Sequence, residues 1–142
     1  MRVLARSESL FAGGRDELTF RGVGQMEKTE YGHRLRYTAQ NEADGSGVAS
    51  ELRLETSLHR AVVITENRDG GYGLLLDPRA ETVTQIGGDG GALTLRVQTQ
   101  EVGWHLPRKG PGTVTLRYTL LLGTQQMSAL RLELTLTKEE ND

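Results

Sequence analysis

The stretch from Val114 to Thr137, VTLRYTLLLGTQQMSALRLELTLT, decides the fold class. Successive side chains on a strand project to opposite faces, so Val114, Leu116, Tyr118, Leu120 and Leu122 share one face. Leu130, Leu132, Leu134 and Leu136 do the same in the second run, and Gly123-Thr124-Gln125-Gln126 lies between. Two alternating runs joined by a glycine-containing turn make a β-hairpin with one dry face.

Working back from this hairpin, similar alternation fills nearly the whole chain. Val3 to Leu10 and Glu17 to Met26 form a first hairpin through Ala12-Gly13-Gly14-Arg15-Asp16, and His33 to Gln40 alternates Leu35, Tyr37 and Ala39 with Arg34, Arg36 and Thr38. The Asp-Gly pair in Ala43-Asp44-Gly45-Ser46-Gly47 predicts a tight turn into Val48 to Glu55. Arg60 to Glu66 is β-branched without alternation, as expected of a strand covered on both faces. Asn67-Arg68-Asp69-Gly70-Gly71 turns into Tyr72 to Asp77, which Pro78 ends, and Glu81 to Ile86 is a weaker strand. Leu93, Leu95 and Val97 alternate in one parity, Val102, Trp104 and Leu106 in the other. That switch predicts a bulge between Thr99 and Val102. In the second strand Gly22 and Gly24 fall on the same face as Leu18, Phe20 and Met26, and inward glycines mark sharp bends or close approaches of backbone.

These features predict an all-β chain folded as a single antiparallel, mainly up-and-down β-barrel of about eight strands over residues 1–142, with a two-sheet sandwich as the alternative. A disordered tail is expected at 138–142. Hydrophobic residues make up 36% and aromatics only 5% of the chain, so the interior is aliphatic. Seventeen basic residues nearly balance nineteen acidic ones, and neither sign is gathered into a run. A nucleic-acid partner is not expected from such a balance. The absence of cysteine excludes disulfide and thiolate chemistry. Met1 to Arg6 enters strand alternation without a long apolar segment, which predicts a soluble, cytoplasmic protein with no membrane partner.

Candidate chemistry is sparse. Gly87 to Gly91 lacks the Gly-Lys-Ser/Thr that would make a phosphate loop, and Asn67 to Gly71 lacks the alternating acids and closing Glu of a calcium loop. His33, His59 and His105 show no metal-ligand or nucleophile-base spacing, and no Gly-x-Ser-x-Gly elbow occurs. No catalytic residue, metal site or cofactor is therefore expected, although Glu8, Glu101 or His105 could converge inside a barrel. Arg34, Arg36, Arg53, Arg96, Arg117 and Arg131 fall on outward faces, where Glu51, Glu55 and Glu133 balance them. Trp104, the only tryptophan, and the adjacent His105 lie just past the predicted bend and are the candidate ligand contacts at the barrel mouth; core packing at the barrel end is the competing account of Trp104.

The order of motifs resembles the YwiB-like family of bacterial proteins. The residues that carry this are Leu116-x-Tyr118-x-Leu120-x-Leu122-Gly123 with Ser128-x-Leu130-x-Leu132, Val3-Leu4 with Glu8-Ser9, His33-x-Leu35-x-Tyr37, Arg68-x-Gly70, and Gly91-x-Leu93-x-Leu95-x-Val97-x-Thr99. The resemblance implies a calycin-type, lipocalin-like β-barrel of unknown function in a bacterial cytosol. The chain departs from the family pattern at Ala39, where an acidic residue is expected, at Gly90, where an aromatic is expected, and in a shortened stretch between Arg68 and Leu76. A family site built from those residues would be altered here. By analogy of fold, the expected function is non-enzymatic binding of a small apolar or amphipathic molecule, and the alternative is a structural or protein-interaction module with a solid core.

Overall fold

Ten strands succeed one another: β1 (Arg2–Phe11), β2 (Gly14–Lys28), β3 (Gly32–Asn41), β4 (Gly47–Glu55), β5 (Arg60–Asn67), β6 (Gly70–Leu76), β7 (Thr82–Gly88), β8 (Gly91–His105), β9 (Gly112–Leu122) and β10 (Gln125–Thr137). The computed structural model describes residues 1–67, 70–88 and 91–138. Within it the strands form one antiparallel sheet in the order β6-β5-β4-β3-β2-β1-β10-β9-β8-β7. Every strand lies beside its neighbours in sequence, and the pairing of β1 with β10 joins the chain's two ends. This is the expected all-β, up-and-down arrangement. Among the described residues no helix is long and apolar enough to cross a membrane.

The sheet curls until its outer strands β6 and β7 meet. There the Thr82 hydroxyl donates to the Leu75 carbonyl at 2.5 Å and the Thr84 hydroxyl to the Gly73 carbonyl at 2.6 Å. Side-chain donors thus stand where a main-chain ladder would run, and the barrel is nearly closed. The number of strands is ten rather than about eight. The two strands at the seam are the shortest, and β7, TVTQIGG, lacks a clean apolar alternation, so its pattern understates it. Two further strands widen the barrel, because barrel diameter grows with strand number and an eight-stranded barrel is just filled by its own side chains.

The parity switch is a bulge, with the register shifting between Thr99 and Glu101 against β9 so that Gln100 is the extra residue. The inward glycines are close approaches. A Cβ on Gly22 would lie 1.8 Å from the Thr38 carbonyl oxygen, and one on Gly24 would lie 2.7 Å from the Arg36 carbonyl oxygen. Only glycine lets β2 press this tightly onto β3. Ala39 is buried directly across from Gly22, and a larger side chain there would meet the same crowding.

The β2–β3, β4–β5, β6–β7 and β8–β9 connections share one end of the barrel, which is packed solid. Leu35, Leu52, Leu54, Leu76, Leu116, Leu134, Val97 and Val114 are its largest fully buried side chains. The β1–β2, β3–β4 and β9–β10 turns ring the other end. The turn expected at Ala43 to Gly47 is present: Asp44 accepts hydrogen bonds from the Ser46 amide at 2.8 Å and the Ser46 hydroxyl at 2.6 Å. The tips of the turns expected at Asn67 to Gly71 and Gly87 to Gly91, including Gly90, and the tail residues 139–142 lie outside the described residues.

Candidate functional site

Inward positions change character partway along the strands. On β1, Val3 and Ala5 give way to Ser7 and Ser9; on β4, Leu54 and Leu52 give way to Ser50; on β5, Ala61 and Val63 give way to Thr65. In the same sense Leu35 precedes Tyr37 on β3, Leu76 and Leu74 lie below Tyr72 on β6, and Val114 and Leu116 precede Tyr118 on β9. The aliphatic positions fill the packed end, and the hydroxyl positions begin where that packing stops.

Strand register then lines the hydroxyls up. Tyr37 is cross-strand from Ser50, Ser50 from Thr65, and Thr65 from Tyr72, so four adjacent strands carry one continuous row. The Ser50 and Thr65 hydroxyl oxygens are 3.3 Å apart, and Ser50 also hydrogen-bonds the Tyr37 phenol. Tyr118 reaches the same interior from β9. Burial raises the pKa of its phenol well above the ordinary tyrosine value, and the nearby Tyr72 and Tyr37 phenols add to this. Burial likewise raises the pKa of Tyr37, with the Ser50 hydrogen bond partly opposing. Both phenols therefore stay protonated at neutral pH, where they act as hydrogen-bond donors and acceptors rather than as bases.

Together these residues line a cavity of about 820 Å³ at the open end of the barrel. One wall is the hydroxyl row of β3 to β6; the other carries Leu18 and Phe20 from β2 and Leu130 and Leu132 from β10, with Ser7 and Ser9 of β1 between them. The Asp44 to Gly47 turn forms part of the rim. Hydrogen bonds from the Ser46 hydroxyl, then from its amide, hold the Asp44 carboxyl below its ordinary range, so the rim carries a negative charge. The volume falls within the usual range of small-molecule pockets.

Residues 5–134 match the family described as Domain of unknown function (DUF1934). The chain belongs to that family. No curated protein matches this DUF1934 chain. Among solved structures, the crystal structure of the ywiB protein from Bacillus subtilis matches it with a TM-score of 0.73 at 16% identity, covering 94% of this chain and 87% of that one. At that identity the match establishes a shared fold. The resemblance read from the motifs is thereby confirmed, and with it a YwiB-like barrel for this DUF1934 member.

Trp104 and His105 lie at the opposite end from the cavity. Trp104 is cross-strand from Val114, packs against the core and stacks on His59 with ring centroids 5.5 Å apart. It closes the packed end of the barrel. His105 is exposed, and neither residue lines the cavity. Nor do Glu8 and Glu101 converge inside, since each pairs with an arginine, Arg15 at 3.1 Å and Arg117 at 3.0 Å. The outward arginines are likewise paired: Arg34 and Arg36 with Glu27, Arg53 with Glu51, Arg96 with Glu81 and Arg131 with Glu133. A second depression, about 1130 Å³, opens largely on the outward face of β2 to β5, and the charges of Glu27, Arg36, Glu51 and Arg53 in it are engaged in those pairs.

The cavity-lining residues that sequence reasoning misses are Ser7, Ser9, Tyr37, Ser50, Thr65, Tyr72 and Tyr118. A signal for them exists: each follows or precedes aliphatic residues at the same strand parity, and six strands change from aliphatic to hydroxyl in the same spatial direction.

Proposed function

We propose that this protein is a non-enzymatic, cytoplasmic carrier of a small apolar or amphipathic molecule, held in the open half of a calycin-like barrel. The observation that carries this is the cavity of about 820 Å³ with one hydroxyl wall and one largely apolar wall that Ser7 and Ser9 interrupt. A barrel selected only for solidity would continue its leucine packing to both ends. Instead hydroxyl residues interrupt the inward aliphatic positions on six strands, with Ala39, Val48 and Leu120 following on three of them, which costs stability and gives a surface fit for an amphipathic guest. The lack of cysteine is in keeping with a cytoplasmic setting.

Thermal unfolding in the presence of fatty acids, monoacylglycerols, haem and aromatic metabolites tests the proposal. A member present at a hundred times its dissociation constant adds about 2.7 kcal/mol, which raises the melting temperature of a chain this size by roughly 5–10 °C. A panel with no stabilising member contradicts the carrier reading. The alternative, a structural or interaction module, draws support from apolar side chains exposed at the same end: Leu10 and Phe11 on the β1–β2 hairpin, and Leu122 and Met127 on the adjacent β9–β10 hairpin. Stable self-association in sedimentation experiments, together with a silent panel, favours that alternative.

A further inference from the structure

The geometry points to an uncharged ligand that carries hydrogen-bonding oxygens along one edge and an apolar body behind them. This inference rests on the carrier reading and narrows its ligand class. Among the described lining residues no cationic side chain points inward. Arg131 touches the cavity's edge from an outward-facing position of β10 and is paired with Glu133. The ionised Asp44 sits on the rim. A carboxylate entering this site would pass a negative charge and lose its hydration without meeting a positive partner among the described lining residues, which is strongly unfavourable. A cationic guest is disfavoured in the same way inside, where the Tyr37 and Tyr118 phenols are neutral and offer no charge.

Hydroxyls, by contrast, both donate and accept, so the row Tyr37, Ser50, Thr65 and Tyr72 can satisfy ester, ketone, ether or alcohol oxygens in either sense.

Matched probes separate the ligand class from the carrier reading itself. Calorimetric titration at pH 8 would compare monolaurin with laurate, and methyl 4-methoxybenzoate with 4-methoxybenzoate, each below any micelle concentration. The uncharged member is expected to bind at least about tenfold more tightly than its anion in any pair that binds. Tyr72→Phe, which keeps shape and removes one hydroxyl, is expected to weaken the uncharged member by about three- to tenfold while leaving the melting temperature of the free protein near its original value. Equal or tighter binding of an anion overturns the ligand class and leaves the carrier reading standing. Failure of all four probes to bind overturns the ligand class, and a silent thermal panel beside it overturns the carrier reading too.

Discussion

Gly22→Ala is expected to unfold the barrel or to lower its stability by about 4 kcal/mol or more, near the upper limit for single substitutions. The added Cβ would lie 1.8 Å from the Thr38 carbonyl oxygen and 2.6 Å from the Ala39 Cα, both main-chain atoms that cannot rotate aside. Relief requires β3 to separate from β2, and their ladder runs from Phe20 opposite Asn41 to Lys28 opposite His33. The disturbance would therefore spread along the strand that carries Tyr37. Gly103→Ala is the internal control, because a Cβ there meets nothing within 4 Å. It should leave stability unchanged within about 1 kcal/mol, or raise it slightly by restricting the unfolded chain. Denaturant midpoints of the two variants check this, and a Gly22→Ala protein as stable as the parent would contradict the close approach of β2 and β3.

The second large effect separates the two halves of the barrel. Leu116→Ala and Leu52→Ala each remove a fully buried side chain from the packed end and are expected to cost about 3–5 kcal/mol, since the void left behind is surrounded by side chains that cannot collapse into it. Leu130→Ala removes the same atoms from a half-buried wall of an existing cavity. It should cost only about 1–2 kcal/mol, the transfer of the lost surface with little new void. Chemical denaturation of the three variants measures the contrast directly. Equal losses at all three sites would mean that the interior is uniformly packed.

Much of the fold is legible in the order of residues, because strand pleat and steric volume act locally. Alternation from Val114 to Thr137 places Val114, Leu116, Leu134 and Leu136 in the core, the parity change near Thr99 is a bulge, and Gly22 and Gly24 mark close backbone contact. All ten strand segments are legible, but that every one of them enters the barrel is less so, because β7 is held to β6 by the Thr82 and Thr84 hydroxyls rather than by an apolar face that a pattern could reveal. The cavity residues are harder still. Tyr37 and Tyr72 are far apart in the chain and become parts of one row only when β3, β4, β5 and β6 pair in register. Trp104 stands out as a lone large aromatic, yet alternation cannot say at which end of a barrel an inward residue sits. Up-and-down connectivity decides that, placing Trp104 beside His59 at the packed end.

The proposed carrier has one solid half and one half open to a small uncharged guest, and methyl NMR during titration with monolaurin probes both halves at once. Shifts are expected at Val48, Val63, Leu130 and Leu132, which line the cavity, with Leu54, Leu76 and Leu116 of the packed end and the Trp104 indole unmoved. Shifts centred on Trp104, on the outward face, or nowhere at saturating probe would contradict the proposal.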